Sequence, residues 1–215
     1  MKEELRYTLL SDGSSDKALQ YVLTWLLREH IVVNCAIQSE WADLGRLPKP
    51  PKKLPDRIKK SLELYPCDLL FVHRDAEKEP RQKRVDEIRK AIESDEKSLS
   101  VPAVCVIPVR MQEAWLLFDE KAIRRASGNP GGRQALKLPD LAKVEELSDP
   151  KNILYTVLRQ ASELGPKRLK KFNVNEKVHR VAELIDDFTP LLALSAFRAL
   201  EVDIEQAIEK FGWSK

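Results

Sequence analysis

Apolar residues in the first half of the chain occur in two patterns, as short runs of strand length and as longer stretches with helical spacing. The runs predict four strands, at residues 5–10, 31–38, 68–72 and 101–109. The stretches between them predict helices at residues 14–30, 56–65 and 80–97. The alternating order is typical of an α/β domain, with a Rossmann-like, mainly parallel sheet of about four strands flanked by helices.

The strands differ in how apolar they are. Residues 31–38 alternate apolar and mixed positions, so we expect this strand nearer an edge of the sheet. Residues 101–109 are apolar almost throughout, which favours a central strand covered on both faces.

The second half of the chain contains no further strand pattern. Helical spacing recurs after Asp149, around residues 178–185 and from Ser195 onward. We therefore predict an α/β core at residues 1–127 and a C-terminal helical region at residues 128–215, packed on the core as a single compact unit.

Composition narrows the class of protein. Charged residues make up 33% of the 215 residues and hydrophobic ones 43%, as in ordinary globular proteins. No apolar run approaches the roughly 20 residues needed to cross a bilayer, and the N-terminus has no signal-peptide pattern, so we expect a cytoplasmic protein without a membrane partner. Three widely spaced cysteines, Cys35, Cys67 and Cys105, predict buried free thiols rather than a disulfide or a metal site.

Acidic residues follow three of the predicted strands. Asp12, Asp75 and Glu113 each come just past a strand, and the carboxyl ends of parallel strands meet at one edge of a sheet. Carboxylates gathered there repel one another unless a proton or a cation relieves them. Oxygen ligands favour a hard ion such as Mg2+ or Mn2+. The sequence thus predicts a metal site made by these three acids, with Glu77 as a further ligand and Asp16 as a nearby candidate.

Two neighbouring side chains add to the chemistry of this edge. His73 is a candidate proton carrier in catalysis alongside Asp12, Asp75 and Glu113, and Arg74 is a candidate phosphate-binding fork. The alternative is purely structural. In it the acids cap turns and helix N-termini, and His73 is a residue at a strand end whose hydrogen-bonding groups have ordinary partners.

Several segments together resemble a known family. They are Asp12-Gly13 after the first strand, the cluster around Asp75, Glu113 with the apolar residues 114–117, Leu147–Lys151, and Phe197–Leu200. In these segments the chain resembles TOPRIM-like proteins, specifically the bacterial DUF4276 group. The resemblance covers nearly the whole chain through short motifs. It implies a Rossmann-like sheet and the divalent-metal phosphodiester chemistry of nucleases, primases and topoisomerases.

The chain departs from the family pattern at two positions. Asp12 stands where the family has a glutamate that acts as acid or base, and His73 stands where it has the first acid of an Asp-x-Asp motif whose second acid is Asp75. Either Glu77 and Glu113 restore the site in a shifted register, or metal binding has weakened. The resemblance therefore implies a nuclease or phosphoryl-transfer enzyme in anti-phage defence, or a degenerate, non-catalytic subunit that binds an ATPase partner or a nucleotide. A homo-oligomer is compatible with this resemblance.

Basic residues indicate where nucleic acid, DNA or RNA, would bind. The net charge of +3 is too small to decide this question, so the distribution of charge matters more. Candidate phosphate contacts are Lys52 and Lys53 in the proline-rich segment 46–60, Lys170 and Lys171 in a second cluster, and Arg74 and Arg110 near the acids. Trp41 is a candidate for stacking on a base. The alternative is that the lysine-rich segments are simply solvated.

Overall fold

The computed structural model describes residues 4–31, 35–94, 101–210 and 212–213, which include a four-stranded sheet whose neighbouring strands all pair in parallel. The strands are β1 (Glu4–Leu10), β2 (Ala36–Trp41), β3 (Leu69–His73) and β4 (Ala103–Val106). Their order across the sheet is β2-β1-β3-β4. The predicted α/β, Rossmann-like fold with a parallel sheet of four strands is confirmed.

Eight α-helices surround the described part of the sheet. They are α1 (Leu19–His30), α2 (Leu54–Leu64), α3 (Arg81–Glu93), α4 (Glu120–Ala126), α5 (Pro150–Ser162), α6 (Pro166–Leu169), α7 (Val174–Leu184) and α8 (Ser195–Lys210). Short 3₁₀ helices precede several of them, at Ser14–Ala18, Leu44–Arg46, Gln112–Leu116, Leu141–Glu146 and Thr189–Ala193.

Alternation along the strands divides the core into two layers. In β3, Leu70 and Val72 face a smaller apolar cluster that contains residues of α2 and α3. Leu69 and Phe71 face a larger cluster, which contains residues of α1, α4, α5, α7 and α8. Because side chains on a strand alternate between faces, His73 continues the row of Leu69 and Phe71 and emerges on the side of the larger cluster.

The edge position predicted for the second strand is confirmed, since β2 is the outer neighbour of β1. The strand itself runs later than expected, over Ala36–Trp41, and residues 32–34 of the predicted range lie outside the described residues. The predicted helix at 80–97 is observed as Arg81–Glu93, and residues 95–97 of that prediction likewise lie outside.

The prediction of a central fourth strand was wrong, because β4 is at the other edge of the sheet. It is also shorter than residues 101–109, spanning Ala103–Val106. Val104 belongs to the larger apolar cluster and Cys105 packs against the smaller one. A strand whose faces are covered has an apolar sequence whether or not another strand pairs with it on each side. This explains the error. Pro108 cannot donate a ladder hydrogen bond and follows the end of the strand.

Two predictions from composition can be compared with the fold. In the described part of the chain, no helix combines the length and the apolar character that crossing a membrane requires. The three cysteines are free, as predicted, but they are half-buried rather than fully buried. Burial raises the pKa of the Cys105 thiol to about 11, which keeps it protonated at neutral pH.

Candidate functional site

The ends of β1, β3 and β4 lead into three segments at one edge of the sheet, since these strands are parallel. After β1 the chain turns at Ser11–Gly13 and enters the 3₁₀ helix Ser14–Ala18. After β4 it enters a second 3₁₀ helix, Gln112–Leu116, and α4 starts only at Glu120. Every residue of this second 3₁₀ helix is buried, so it presents its polar side chains inside the protein.

His73, the last residue of β3, lies at the centre of this edge. Its Nδ1 is 3.0 Å from the carbonyl oxygen of Val106, and because a carbonyl only accepts, Nδ1 carries the proton and donates it. Its Nε2 is 3.5 Å from Oδ1 of Asp75 and 3.9 Å from Oδ2 of Asp16. The buried imidazole thus holds its second nitrogen near two carboxylates, at distances longer than a good hydrogen bond.

Asp16 is held in place by its own loop and by the second 3₁₀ helix. Its Oδ2 accepts from the backbone N–H of Gly13 at 3.0 Å. Its Oδ1 accepts from Nε2 of Gln112 at 2.9 Å and from the hydroxyl of Ser15 at 3.1 Å. The amide oxygen Oε1 of Gln112 is buried and has no hydrogen-bond partner within the described structure. Such an atom usually has a partner, so this oxygen is available to a ligand.

Asp75 is the most perturbed acid at this edge. Burial raises its pKa from the ordinary 3.8 to about 6; nearby His73 lowers it, and the charges of Asp16 and Glu113 raise it further. The backbone N–H of Gln112 donates to its Oδ1 at 3.2 Å. A carboxyl group with a pKa near neutrality can both hold and release a proton under cellular conditions, which is the property of a general acid or base.

Glu113 lies on the same buried 3₁₀ helix. Burial raises its pKa, and its Oε1 is 3.6 Å from Nζ of Lys151 at the start of α5. A pocket of about 360 Å³ opens beside this pair, and Ser14, Tyr155 and His179 also contribute to its wall. Glu113 is therefore a buried acid next to an accessible space.

Asp12 occupies a different environment from the one predicted. Its carboxylate is half-exposed and is paired with the guanidinium groups of Arg57 and Arg74, the second at 3.2 Å from Nε to Oδ2. Arg57 also donates to the carbonyl oxygen of Ser11. A neighbouring pocket of about 400 Å³ is lined by Asp12, Arg57, Lys52 and other residues of this loop region.

Glu77 is also paired with an arginine, Nη2 of Arg84 at 3.6 Å, and its side chain is largely exposed. The structure thus brings together His73, Asp75 and Glu113 of the predicted site, and it adds Asp16, which the sequence offered only as a nearby candidate. Asp12 and Glu77 make ion pairs with arginines instead.

The arrangement limits how a metal ion could be held. Within the described residues, the acids and the imidazole at this edge do not form a group of three whose ligand atoms all lie within 4.8 Å of one another. In the arrangement observed, one ion would therefore contact at most two of these side chains, and a third would require a side-chain rotation or a bridging water.

The predicted nucleic-acid contacts are distributed over the surface. Arg74 and Lys52 lie beside Asp12, as described above, and Lys53 is the exposed residue that precedes α2. Arg110 adopts a left-handed backbone conformation, with φ of 65°, and its carbonyl oxygen accepts from the N–H of Glu77. Lys170 and Lys171 are exposed just after α6.

Sequence reasoning missed Gln112, Lys151 and Arg57. Gln112 directly precedes the predicted Glu113, and Lys151 ends the Leu147–Lys151 segment already singled out, so both had a local signal. Arg57 had no such local signal, because its contact with Asp12 spans 45 positions in the chain.

Comparison of the chain with protein-family models, with curated proteins and with solved structures gives no match in any of the three.

Proposed function

We propose that the protein is a divalent-metal-dependent phosphoryl-transfer enzyme, of the nuclease kind, whose site is formed by Asp16, His73, Asp75 and Glu113. One observation carries this proposal: Asp75 is partly buried, with 31% of its side chain exposed, and burial together with the charges of Asp16 and Glu113 raises its pKa to about 6 although His73 lowers it. Strongly perturbed acids that converge beside an imidazole at the carboxyl end of a parallel sheet are typical of catalytic sites.

The donors at this edge fit a hard cation. Asp16, Asp75, Glu113 and the unpartnered Oε1 of Gln112 all offer oxygen, the ligand that Mg2+ and Mn2+ prefer. Asp75 and Glu113 would hold the ion, which when bound would activate water and stabilise charge on a phosphate. His73 Nε2 and Asp75 would move a proton at the same place, and Gln112 would keep Asp16 oriented.

The arginines around Asp12 support a phosphate-containing substrate. A guanidinium group binds phosphate and carboxylate in the same bidentate fashion. The Asp12 carboxylate therefore occupies a position that a substrate phosphate would also favour. Trp41 and Lys52 line the same pocket. Lys17 already lies over one face of the Trp41 ring, with Nζ 4.4 Å from the centroid, so a base of a bound nucleotide would stack on the other face.

Hydrolysis of nucleic acid is the direct test of this proposal. Purified protein incubated with single-stranded DNA, duplex DNA or RNA is expected to cleave at least one of them when Mn2+ or Mg2+ is present. Asp16→Asn and Glu113→Gln are expected to reduce the rate about tenfold or more, because each removes a charge from the site. Glu77→Gln is the matched control, since that exposed carboxylate pairs with Arg84. Full activity in both site variants would refute the assignment.

Asp12→Asn is expected to increase the affinity for single-stranded DNA roughly two- to fivefold at low salt, because it removes an anion that competes with phosphate for Arg57 and Arg74. Arg57→Gln is expected to weaken binding. Fluorescence anisotropy over a range of salt concentrations measures both effects. Asp56→Asn, an exposed acid next to Arg57 in the chain, controls for net charge. An equal gain in affinity from Asp56→Asn would mean that the position of Asp12 has no special role.

A second candidate function is a non-catalytic subunit that binds an ATPase or a nucleotide. Two observations favour it: two arginines already neutralise Asp12, and Lys151 lies next to Glu113. Calorimetry that detects no Mn2+ binding, together with a stable complex between the protein and an ATPase, would support this alternative over the enzyme.

A further inference from the structure

A second group of ionisable side chains lies where α1 ends. His30 is the last residue of α1, and Glu201 and Glu205 are one turn apart on α8. One ligand atom from each of the three can be chosen so that all lie within 4.8 Å of one another. α1 starts after β1 and runs back along the sheet. This group is therefore on the side of the amino ends of the strands, whereas Asp75 is at their carboxyl ends. It is therefore separate from the site described above.

The imidazole of His30 lies between the two glutamates. Its Nδ1 is 3.2 Å from Oε1 of Glu205, and its Nε2 is 3.5 Å from Oε1 of Glu201. The Nε2 atom is buried and makes no hydrogen bond within the described structure, since 3.5 Å is too long for a good one. Two ligand atoms on one tetrahedral Zn2+ lie about 3.4 Å apart, given metal–ligand bonds of about 2.0–2.2 Å. An imidazole binds one ion through a single nitrogen, so only one of the two separations can belong to one site. That separation matches the expected spacing, and one ligand atom from each of the three residues can be chosen with all of them within 4.8 Å of one another.

The carboxylate of Glu201 is already oriented for such a role. Its side chain is nine-tenths buried, and its Oε2 accepts from Nη1 of Arg198 at 2.6 Å, which leaves Oε1 directed at His30. Contacts of this kind fix the orientation of metal ligands in known sites. Glu205 is half-exposed, so its carboxylate can adjust its position.

We propose that His30, Glu201 and Glu205 form a binding site for a single first-row transition-metal ion of the Zn2+ class. One imidazole nitrogen and two carboxylates suit Zn2+, whereas Mg2+ prefers oxygen ligands only. The two glutamates and Arg198 together carry one net negative charge, which a divalent cation offsets. The bound ion ties the C-terminal end of α1 to α8. This proposal is independent of the phosphoryl-transfer chemistry proposed above.

Thermal unfolding with and without Zn2+ tests the site. The test uses the full-length Asp75→Asn variant, which lacks a carboxylate of the metal site proposed at the carboxyl ends of the strands. At Zn2+ concentrations well above the dissociation constant, its Tm is expected to rise by about 5 °C, and Mg2+ is expected to produce no such rise. Calorimetry on this variant is expected to give one Zn2+ per chain, and Co2+ in place of Zn2+ is expected to give the visible absorption of a low-symmetry Co2+ site. Glu205→Gln is expected to abolish the Zn2+-induced rise, and its partly exposed position makes misfolding a minor concern.

Two controls separate this site from others. Glu209→Gln removes an exposed carboxylate one turn further along α8 and is expected to leave the Zn2+ effect intact. Asp75→Asn is expected to leave it intact as well, because that residue is at the carboxyl ends of the strands. The proposal is overturned if Zn2+ does not bind, if Glu205→Gln responds like the unmodified protein, or if Asp75→Asn alone removes the effect. Absence of Zn2+ binding would mean that His30, Glu201 and Glu205 only make a polar contact between α1 and α8.

Discussion

Asp75→Asn is expected to reduce the rate of phosphodiester hydrolysis about 100-fold or more. The same change is expected to make the protein more stable at neutral pH. Both effects come from one feature. Asp75 is held as a carboxylate in a partly buried place, where desolvation and the charges of Asp16 and Glu113 oppose its ionisation. A pKa raised from 3.8 to about 6 corresponds to a cost of up to about 3 kcal/mol for the charged form.

The stabilisation is expected to depend on pH with a definite sign. The folded-state pKa of Asp75 lies above its unfolded value, so between about pH 4 and pH 6 the folded protein binds more protons than the unfolded chain. The contribution of this residue to the free energy of unfolding therefore falls as pH rises through that window. Asparagine carries no charge, so the variant is expected to be about 2 kcal/mol more stable than the unmodified protein at pH 8 and nearly equal to it at pH 4.

Chemical denaturation at the two pH values measures this difference. Asp86→Asn, on the exposed side of α3, is the matched control and is expected to show little pH-dependent change. An Asp75→Asn variant that is less stable at pH 8 would mean that the surroundings of Asp75 stabilise its carboxylate instead of opposing its ionisation. In that case the proposal of a catalytic site would lose its main support.

The chain's pattern predicted the parallel sheet and the edge at which acids gather, because both follow from periodicity and from the geometry of βαβ units. Which acid enters the site did not follow from the pattern. Asp12 and Asp16 are only four positions apart in the chain, and their different environments depend on distant partners. Arg57 and Arg74 pair with Asp12, whereas Gln112, 96 positions away, orients Asp16.

The fourth strand illustrates a different limit. Residues 101–109 were apolar enough for a central strand, yet β4 is at an edge. Hydrophobicity reports whether the two faces of a strand are covered. In β4 the face of Val104 and Val106 is buried, and the face of Ala103 and Cys105 is partly covered. Hydrophobicity does not report whether the lateral hydrogen-bonding groups have a neighbouring strand, which depends on the topology of the whole sheet.

Trp115→Ala is expected to cause the largest loss of stability among the changes considered, about 3–5 kcal/mol. The indole is 1% exposed, and its ring meets that of Phe197 edge to face with centroids 5.1 Å apart. Removal of the ring leaves a cavity between the 3₁₀ helix Gln112–Leu116 and α8, which the surrounding backbone can fill only in part. Urea denaturation is expected to show a lower midpoint with an unchanged slope.

Trp115→Phe distinguishes the loss of packing from the loss of a polar contact. The indole Nε1 is buried and has no hydrogen-bond partner in the described part of the chain, so its removal costs no hydrogen bond. Phenylalanine retains most of the ring and is expected to cost about 1 kcal/mol or less. Equal losses for Phe and Ala would indicate that the N–H group has a structural role. Because Glu113 is on the same turn of 3₁₀ helix, only the alanine variant is expected to lower site activity as well, through displacement of this acid relative to Lys151.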